Sequence, residues 1–233
     1  MSDSNQQLEA NPSRSRTTHS VLRGENERPA ILSFIKDIPN IVTLLGLSSG
    51  VLGIYFALVE NFPAAVIAML WAVLFDWYDG PVSRRIPGRS NIIKSVGAKM
   101  DSLVDIVSLA ICPAIILLSY GEFSPWFFPG ALAIVMAGVV RLAYFDIFGV
   151  DRDGTIAGLS LDITPLVVAL VFLLEDVMNH DAFAVLLYTI IVVLSFLHVA
   201  PFKMRKMVGH WYYVITAYIL IMTVMYAFIL WAK

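Results

Sequence analysis

Cysteine is almost absent from this chain. The single Cys112 among 233 residues excludes a disulfide framework, and its place in an apolar run leaves the redox compartment unread. Charge is equally scarce. Asp, Glu, Lys and Arg make up 15% of the residues against 58% hydrophobic ones, an apolar share well above that of a soluble domain. The first 30 residues hold no apolar segment, so no secretory signal is expected, and Asp3, Glu9, Glu25 and Glu27 argue against an organelle transit peptide. No internal repeat is visible, and nothing in the charge pattern calls for a nucleic-acid partner. The net charge of -2 says little, because the charges are clumped.

What is present is a series of apolar runs, each about the 20 residues that a spanning helix needs. They predict an all-α polytopic transmembrane helix bundle of six to seven spans: 40–59, 63–83, 96–119, 126–148, 161–178, 182–200 and 211–232. Asn61-Phe62-Pro63, Pro87-Gly88, Gly121 to Pro125, Asp151 to Gly154, Asn179 to Asp181 and Pro201 to Gly209 punctuate them. Residues 1–30 are polar and read as a disordered tail. Ile31 to Ile38 has apolar residues at helical spacing and predicts a short amphipathic helix on the headgroups, ahead of a membrane domain over 39–233. Trp126, Trp211 and Trp231 suit an aromatic belt, and His198 and His210 read as interfacial packing.

The connections alternate in charge. The tail, the loop with Arg84, Arg85, Arg89 and Lys94, the Arg152 turn and the Lys203–Lys206 loop are basic. The other connections, "ENF", "GEFSP" and "EDVMNHD", hold no Lys or Arg. This asymmetry predicts an integral membrane protein with a cytoplasmic N-terminus, in the inner membrane if the cell is prokaryotic.

Against that background, "LFDWYDGPVSRR" and "GAKMDSLVD" stand out. They place Asp76 and Asp79 at the basic end of one span, and Asp101 and Asp105 at the same depth in the next. On a helix, 76, 79, 80 and 83 share one face, as do 97, 101, 105 and 108. Ionised carboxylates inside a span cost several kcal/mol unless paired and usually mark function. Arg84, Arg85 and Lys99 at the membrane edge offer a bland pairing. Hard cations such as Mg²⁺, Mn²⁺ or Ca²⁺ suit clustered carboxylate oxygens better, and two of them would cancel four charges. Mg²⁺ also favours a few carboxylates plus substrate phosphates, which points to phosphoryl chemistry on a lipid with Arg84 holding a phosphate. A divalent-cation transporter is the rival class, disfavoured by the missing repeat and by acids gathered at one end.

These residues carry a resemblance. "DWYDGPVSR…GAKMDSLVD" is similar to the signature of the CDP-alcohol phosphotransferases, D-x2-D-G-x2-A-R, a spacer, then G-x3-D-x3-D. Seven of its eight residues match: Asp76, Asp79, Gly80, Arg84, Gly97, Asp101 and Asp105. Ser83 replaces the alanine, and the twelve-residue spacer "RIPGRSNIIKSV" is longer than usual for the family. "MDSLVDIVSLAICPAIIL" and "GVVRLAYFDI" resemble the integral-membrane phosphatidylserine synthases within that family, whereas "GLSLDITP" departs from their G-L-P-x-P and Phe145-Asp146 from their Phe-Asn.

The resemblance implies transfer of a phosphatidyl group from CDP-diacylglycerol to a small alcohol, serine foremost, with release of CMP. Inositol phosphate, glycerol phosphate, choline or an archaeal ether-lipid donor are the alternatives within the fold. It implies two divalent ions, Mg²⁺ or Mn²⁺, held by Asp76, Asp79 and Asp101, with Asp105 as general base also touching a metal. Gly80, Ser83, Arg84 and Gly97 would contact the CDP moiety, with Asn40 and Thr43 near the nucleotide, unless Asn40 merely caps its helix. Arg141 would meet the acceptor carboxylate or the pyrophosphate, unless it merely snorkels to the membrane edge, with Asp146 and Arg152 lining the acceptor pocket. Membrane lipids and a second copy of the chain, as a homodimer, are the implied partners.

Overall fold

Proline sets the first long helix: Pro39 occupies its opening turn, where a missing N–H costs nothing. The computed structural model describes residues 30–232, so the tail expected to be disordered lies outside the described residues, apart from its last position. Residues 34–233 form one compact unit, and of the other, 1–33, only 30–33 are described. A 3₁₀ helix covers Ile31–Lys36.

The helices of the bundle are α1 (Ile38–Leu58), α2 (Phe62–Arg85), α3 (Asn91–Tyr120), α4 (Phe128–Phe148), α5 (Ile163–Phe172), α6 (His180–Val199) and α7 (Trp211–Ala232). Among the described residues six helices are long and apolar enough to cross a membrane; α5 is the exception. Their outward faces carry exposed Leu52, Val140, Phe196, Ile221 and Phe228, as lipid-facing surfaces should. The protein is an integral membrane helix bundle, as its apolar runs predict.

Two spans differ from the predicted bounds. Helix α3 starts at Asn91 rather than 96, because Ser90 caps it by accepting from the Ile93 amide at 3.3 Å. Its first turns are polar and lie outside the apolar run. Helix α3 also contains a π-helical stretch, Ile106–Ile111, in which the Cys112 amide bonds back to the Val107 carbonyl. Pro113 lacks an amide and crowds the carbonyl of Leu109, and the widened turn just before it relieves that strain.

The fifth span is a ten-residue helix followed by a 3₁₀ turn, Glu175–Val177. It nevertheless links the two ends of the bundle. Phe172 at its end stacks on Phe62 and meets Tyr120 and Phe183 edge to face; these lie at the start of α2, the end of α3 and the start of α6. Its start adjoins Leu159, held by the far end of α6. A buried helix needs no lipid-length apolar surface, so α5 is short. Its Leu166 and Ala169 carbonyls accept from Tyr218 and Tyr226 of α7, at 2.7 and 2.5 Å, so α5 and α7 run in parallel.

Small residues let α1 approach α2 and α3. Gly46, Gly50 and Gly53 form one stripe, and a methyl at Gly50 would lie 2.8 Å from the Ser108 Cβ. Close helices here bring the aspartates of α2 and α3 together. The bundle's charges segregate by end. Arg84, Arg89, Lys94, Arg152 and Lys203 all lie at one end, and Glu60, Glu122, Glu175 and Asp181 follow or precede helix termini at the other.

At the basic end, β1 (Thr155–Ala157) pairs antiparallel with β2 (Lys203–Arg205), a ribbon the sequence patterning did not predict. Lys203 bridges Asp151 at 2.6 Å, and this bond raises its ammonium above the usual lysine value. Gly158 follows β1 with φ of +67°, and an added Cβ would press into the His198 carbonyl oxygen. Gly158→Ala should therefore destabilise the fold by at least about 2 kcal/mol, from strain and backbone overlap together. A melting curve in detergent checks this; an unchanged midpoint would mean the loop relaxes freely.

Candidate active site

The turn "DWYDG" is helical, so Asp76 and Asp79 project from neighbouring positions of α2 toward α1 and α3. Asp101 and Asp105, one turn apart on α3, face them. Single oxygens of Asp76, Asp101 and Asp105 all lie within 4.8 Å of one another. The side chains of Asp76 and Asp105 meet, as do those of Asp79 and Asp101. Asp79 Oδ2 also accepts from Thr43 Oγ1 at 2.9 Å, which ties α1 to the cluster.

None of the four carboxylates forms an ion pair with Lys or Arg among the described residues. The bland pairing with Arg84, Arg85 or Lys99 is therefore not made. Touching carboxylates without a cationic side chain repel unless protons or cations lie between them. The donor set is all hard oxygen, half-buried and convergent, and it fits divalent ions of the Mg²⁺ type.

A cavity of about 240 Å³ opens on these acids at the basic end of the bundle. Asp76, Asp79, Gly80, Arg84, Asp101 and Asp105 line it together with Arg141, Asp162, Lys206 and Tyr212. Arg84 Nη2 donates to the Tyr212 hydroxyl at 3.4 Å, so α7 helps aim it. Arg141 is only 7% exposed and donates through Nε to the Leu159 carbonyl, with its guanidinium over the Phe145 ring.

Other expected residues lie elsewhere. Gly97 packs against Asn40, whose Oδ1 would sit 2.7 Å from an added Cβ, and neither lines the main cavity. Asn40 does not cap α1; its amide donates to the Phe34 carbonyl at 2.9 Å. Ser83 accepts from Arg89, which also grips Asp37 at 2.5 Å. Asp146 faces away, bonded to Lys99 at 2.5 Å and to Ser102 at 2.8 Å. Arg152 is exposed in the turn before β1. His198 is not interfacial: it is 1% exposed and bonds Thr164 Oγ1 at 2.7 Å, because the loop before α5 folds over the end of α6.

Several cavity residues have no marked signature in the sequence. Trp77, Tyr212 and Lys206 carried no signal beyond aromatic and basic character. Asp162 did carry one, as a lone acid inside the apolar "GLSLDITP". Arg89 belongs to the long spacer, whose extra length folds it back onto Asp37.

The CDP-alcohol phosphatidyltransferase family pattern matches residues 36–233, all but the tail. The chain belongs to that family. An archaetidylserine synthase of Methanothermobacter thermautotrophicus is 39% identical over 118 residues, covering 50% of this chain and 49% of that protein. A CDP-diacylglycerol–serine O-phosphatidyltransferase of Bacillus subtilis is 27% identical over 112 residues, 47% of this chain and 61% of its own length. The protein of the same name from Methanocaldococcus jannaschii is 31% identical over 113 residues, 48% of this chain and 50% of its own. The chain thus spans about half to three-fifths of the length of these relatives.

Proposed function

We propose that this protein transfers the phosphatidyl or archaetidyl group of a CDP-activated lipid to L-serine and releases CMP. The observation that carries this reading is the convergence of the four signature aspartates, Gly80 and Arg84 on one cavity. Relatives named for serine transfer onto ester and ether lipids support the acceptor and leave both donor types in play. The alternation of basic and Lys/Arg-free connections supports a cavity that faces the cytoplasm.

Two divalent ions, Mg²⁺ or Mn²⁺, would be held by Asp76, Asp79, Asp101 and Asp105. When bound they supply charge stabilisation at the pyrophosphate and at the leaving CMP oxygen. Arg84 holds a donor phosphate, and Gly80 lets it approach the α2 backbone. Asp105 takes the proton from the acceptor hydroxyl as its oxygen bonds to the lipid-side phosphorus. The bond from that phosphorus to the CMP oxygen breaks, and CMP departs as an anion. Positioning by the cavity walls does the rest.

A phosphorylated acceptor needs several cations near its site, and this cavity offers Arg141 and Lys206 beyond Arg84. Serine should therefore turn over in preference to glycerol phosphate, inositol phosphate, threonine and choline when each is supplied to purified protein with CDP-diacylglycerol. Turnover of glycerol phosphate or inositol phosphate without serine would remove the acceptor assignment and keep the family.

A further inference from the structure

Asp162 is a buried carboxylate that the reaction above does not use. It precedes α5 at the position where aspartate ordinarily caps a helix, yet it makes no capping bond. It is 7% exposed and lines the same cavity as the signature acids. Trp77 Nε1 donates to its Oδ2 at 2.8 Å, while its Oδ1 meets no donor among the described residues. A buried carboxylate oxygen left without a donor is costly and rare in native proteins.

Arg141 borders the same cavity, and its only hydrogen bond among the described residues runs through Nε. The two residues form no ion pair with each other. A guanidinium and a carboxylate, both buried beside one cavity and unpaired, match the two ends of a zwitterion. Asp162 is not one of the three carboxylates whose oxygens converge within 4.8 Å of one another.

We infer that Asp162 is the specificity residue that binds the ammonium group of the acceptor, opposite Arg141 on its carboxylate. This rests on the amino-acid acceptor of the proposed function. Oδ1 accepts from the ammonium, and Trp77 holds Oδ2 so that the carboxylate keeps its aim. The seat explains how one cavity selects an amino acid over an uncharged or phosphorylated alcohol.

The experiment compares the wild-type protein with Asp162→Asn and Trp77→Phe, using CDP-diacylglycerol and Mn²⁺. Three readouts are taken: KM for L-serine, inhibition of serine turnover by 3-hydroxypropanoate, and Mn²⁺-dependent donor binding. This inhibitor lacks the ammonium and keeps the carboxylate and hydroxyl. Asp162→Asn should raise the serine KM at least about tenfold, the loss of one charge-assisted bond. Its inhibition by 3-hydroxypropanoate and its donor binding should stay within about twofold, and retained donor binding also reports a folded protein. Trp77→Phe keeps the carboxylate and should raise the serine KM less. An equal loss of serine and 3-hydroxypropanoate affinity would assign Asp162 a structural role and overturn the proposal. So would a loss of Mn²⁺-dependent donor binding, which would make it part of the metal site. If Asp162→Asn fails to fold, Asp162→Glu decides: an unchanged ratio of serine KM to 3-hydroxypropanoate inhibition overturns the proposal, a shifted one supports it. Wild-type protein that ignores serine but uses another alcohol removes the proposed function itself, and this inference with it.

Discussion

Treatment with EDTA should reduce CMP release by at least about 100-fold, and added Mg²⁺ or Mn²⁺ should restore it. The magnitude follows from the several kcal/mol that a metal supplies to a phosphoryl transition state, at about 1.4 kcal/mol per tenfold in rate. The structural reason is the arrangement of charge. Asp76 meets Asp105 and Asp79 meets Asp101, and no lysine or arginine among the described residues pairs with any of the four. Thr43 donates one hydrogen bond to Asp79, far too little to offset four carboxylates. Without cations the cluster would also repel the pyrophosphate of the donor.

The same charge argument gives a readout independent of turnover. Ions that bind the folded protein alone stabilise it, by about 2.7 kcal/mol at a hundred times their dissociation constant. The melting point in detergent should therefore rise with Mn²⁺ and fall back with EDTA. Asp76→Asn and Asp101→Asn should blunt that rise, since each removes a charged oxygen from the three-residue group. Full turnover in chelator, with a melting point indifferent to Mn²⁺, would dismiss the metal site.

The parts of the site legible in the sequence are those set by local helical geometry. Asp76 and Asp79 at a spacing of three, and Asp101 and Asp105 at a spacing of four, stand out because charge inside an apolar run is expensive. Their spacing alone puts each pair on one helix face, and the loop charge pattern puts both pairs at one end. What stayed hidden depends on contacts between distant segments. Asp162 reaches Trp77 across 85 positions, and Arg89 reaches Asp37 across 52. No local pattern announces such pairs. Asp146 illustrates the converse error. The resemblance puts it in the acceptor pocket, but Lys99 and Ser102, one turn apart on α3, hold it outside the main cavity. The short α5 resembles a span in the sequence for a related reason: apolar content reports burial of either kind, in lipid or in protein, and only the packing tells which.

Asp105→Asn should lower turnover by about 10²–10⁴-fold, the range typical of a lost general base, while leaving much of the donor binding intact. Asp105 is the last acid before the π-helical stretch, one turn further into the bundle than Asp101 and away from the loop after Arg84. A widened turn directly after it lets the helix re-aim its side chains, a feature often found at functional positions. From there Asp105 lines the same cavity as Gly80, Arg84, Arg141 and Asp162. In the proposed seat between Arg141 and Asp162, the acceptor would present its hydroxyl to Asp105 rather than to Asp79, which Thr43 engages. Asparagine keeps the shape and one oxygen but cannot take the proton. Because Asp105 also belongs to the three-carboxylate group, the loss should exceed that range if an ion contact goes as well. The distinguishing comparison is with Asp76→Asn and Asp79→Asn, which should weaken Mn²⁺-dependent donor binding and turnover together. For all three variants, donor affinity with Mn²⁺ and the initial rate at saturating serine are measured side by side. A rate that stays low in Asp105→Asn as pH rises, with donor affinity near wild type, assigns the proton to this carboxylate; near-normal turnover takes it away.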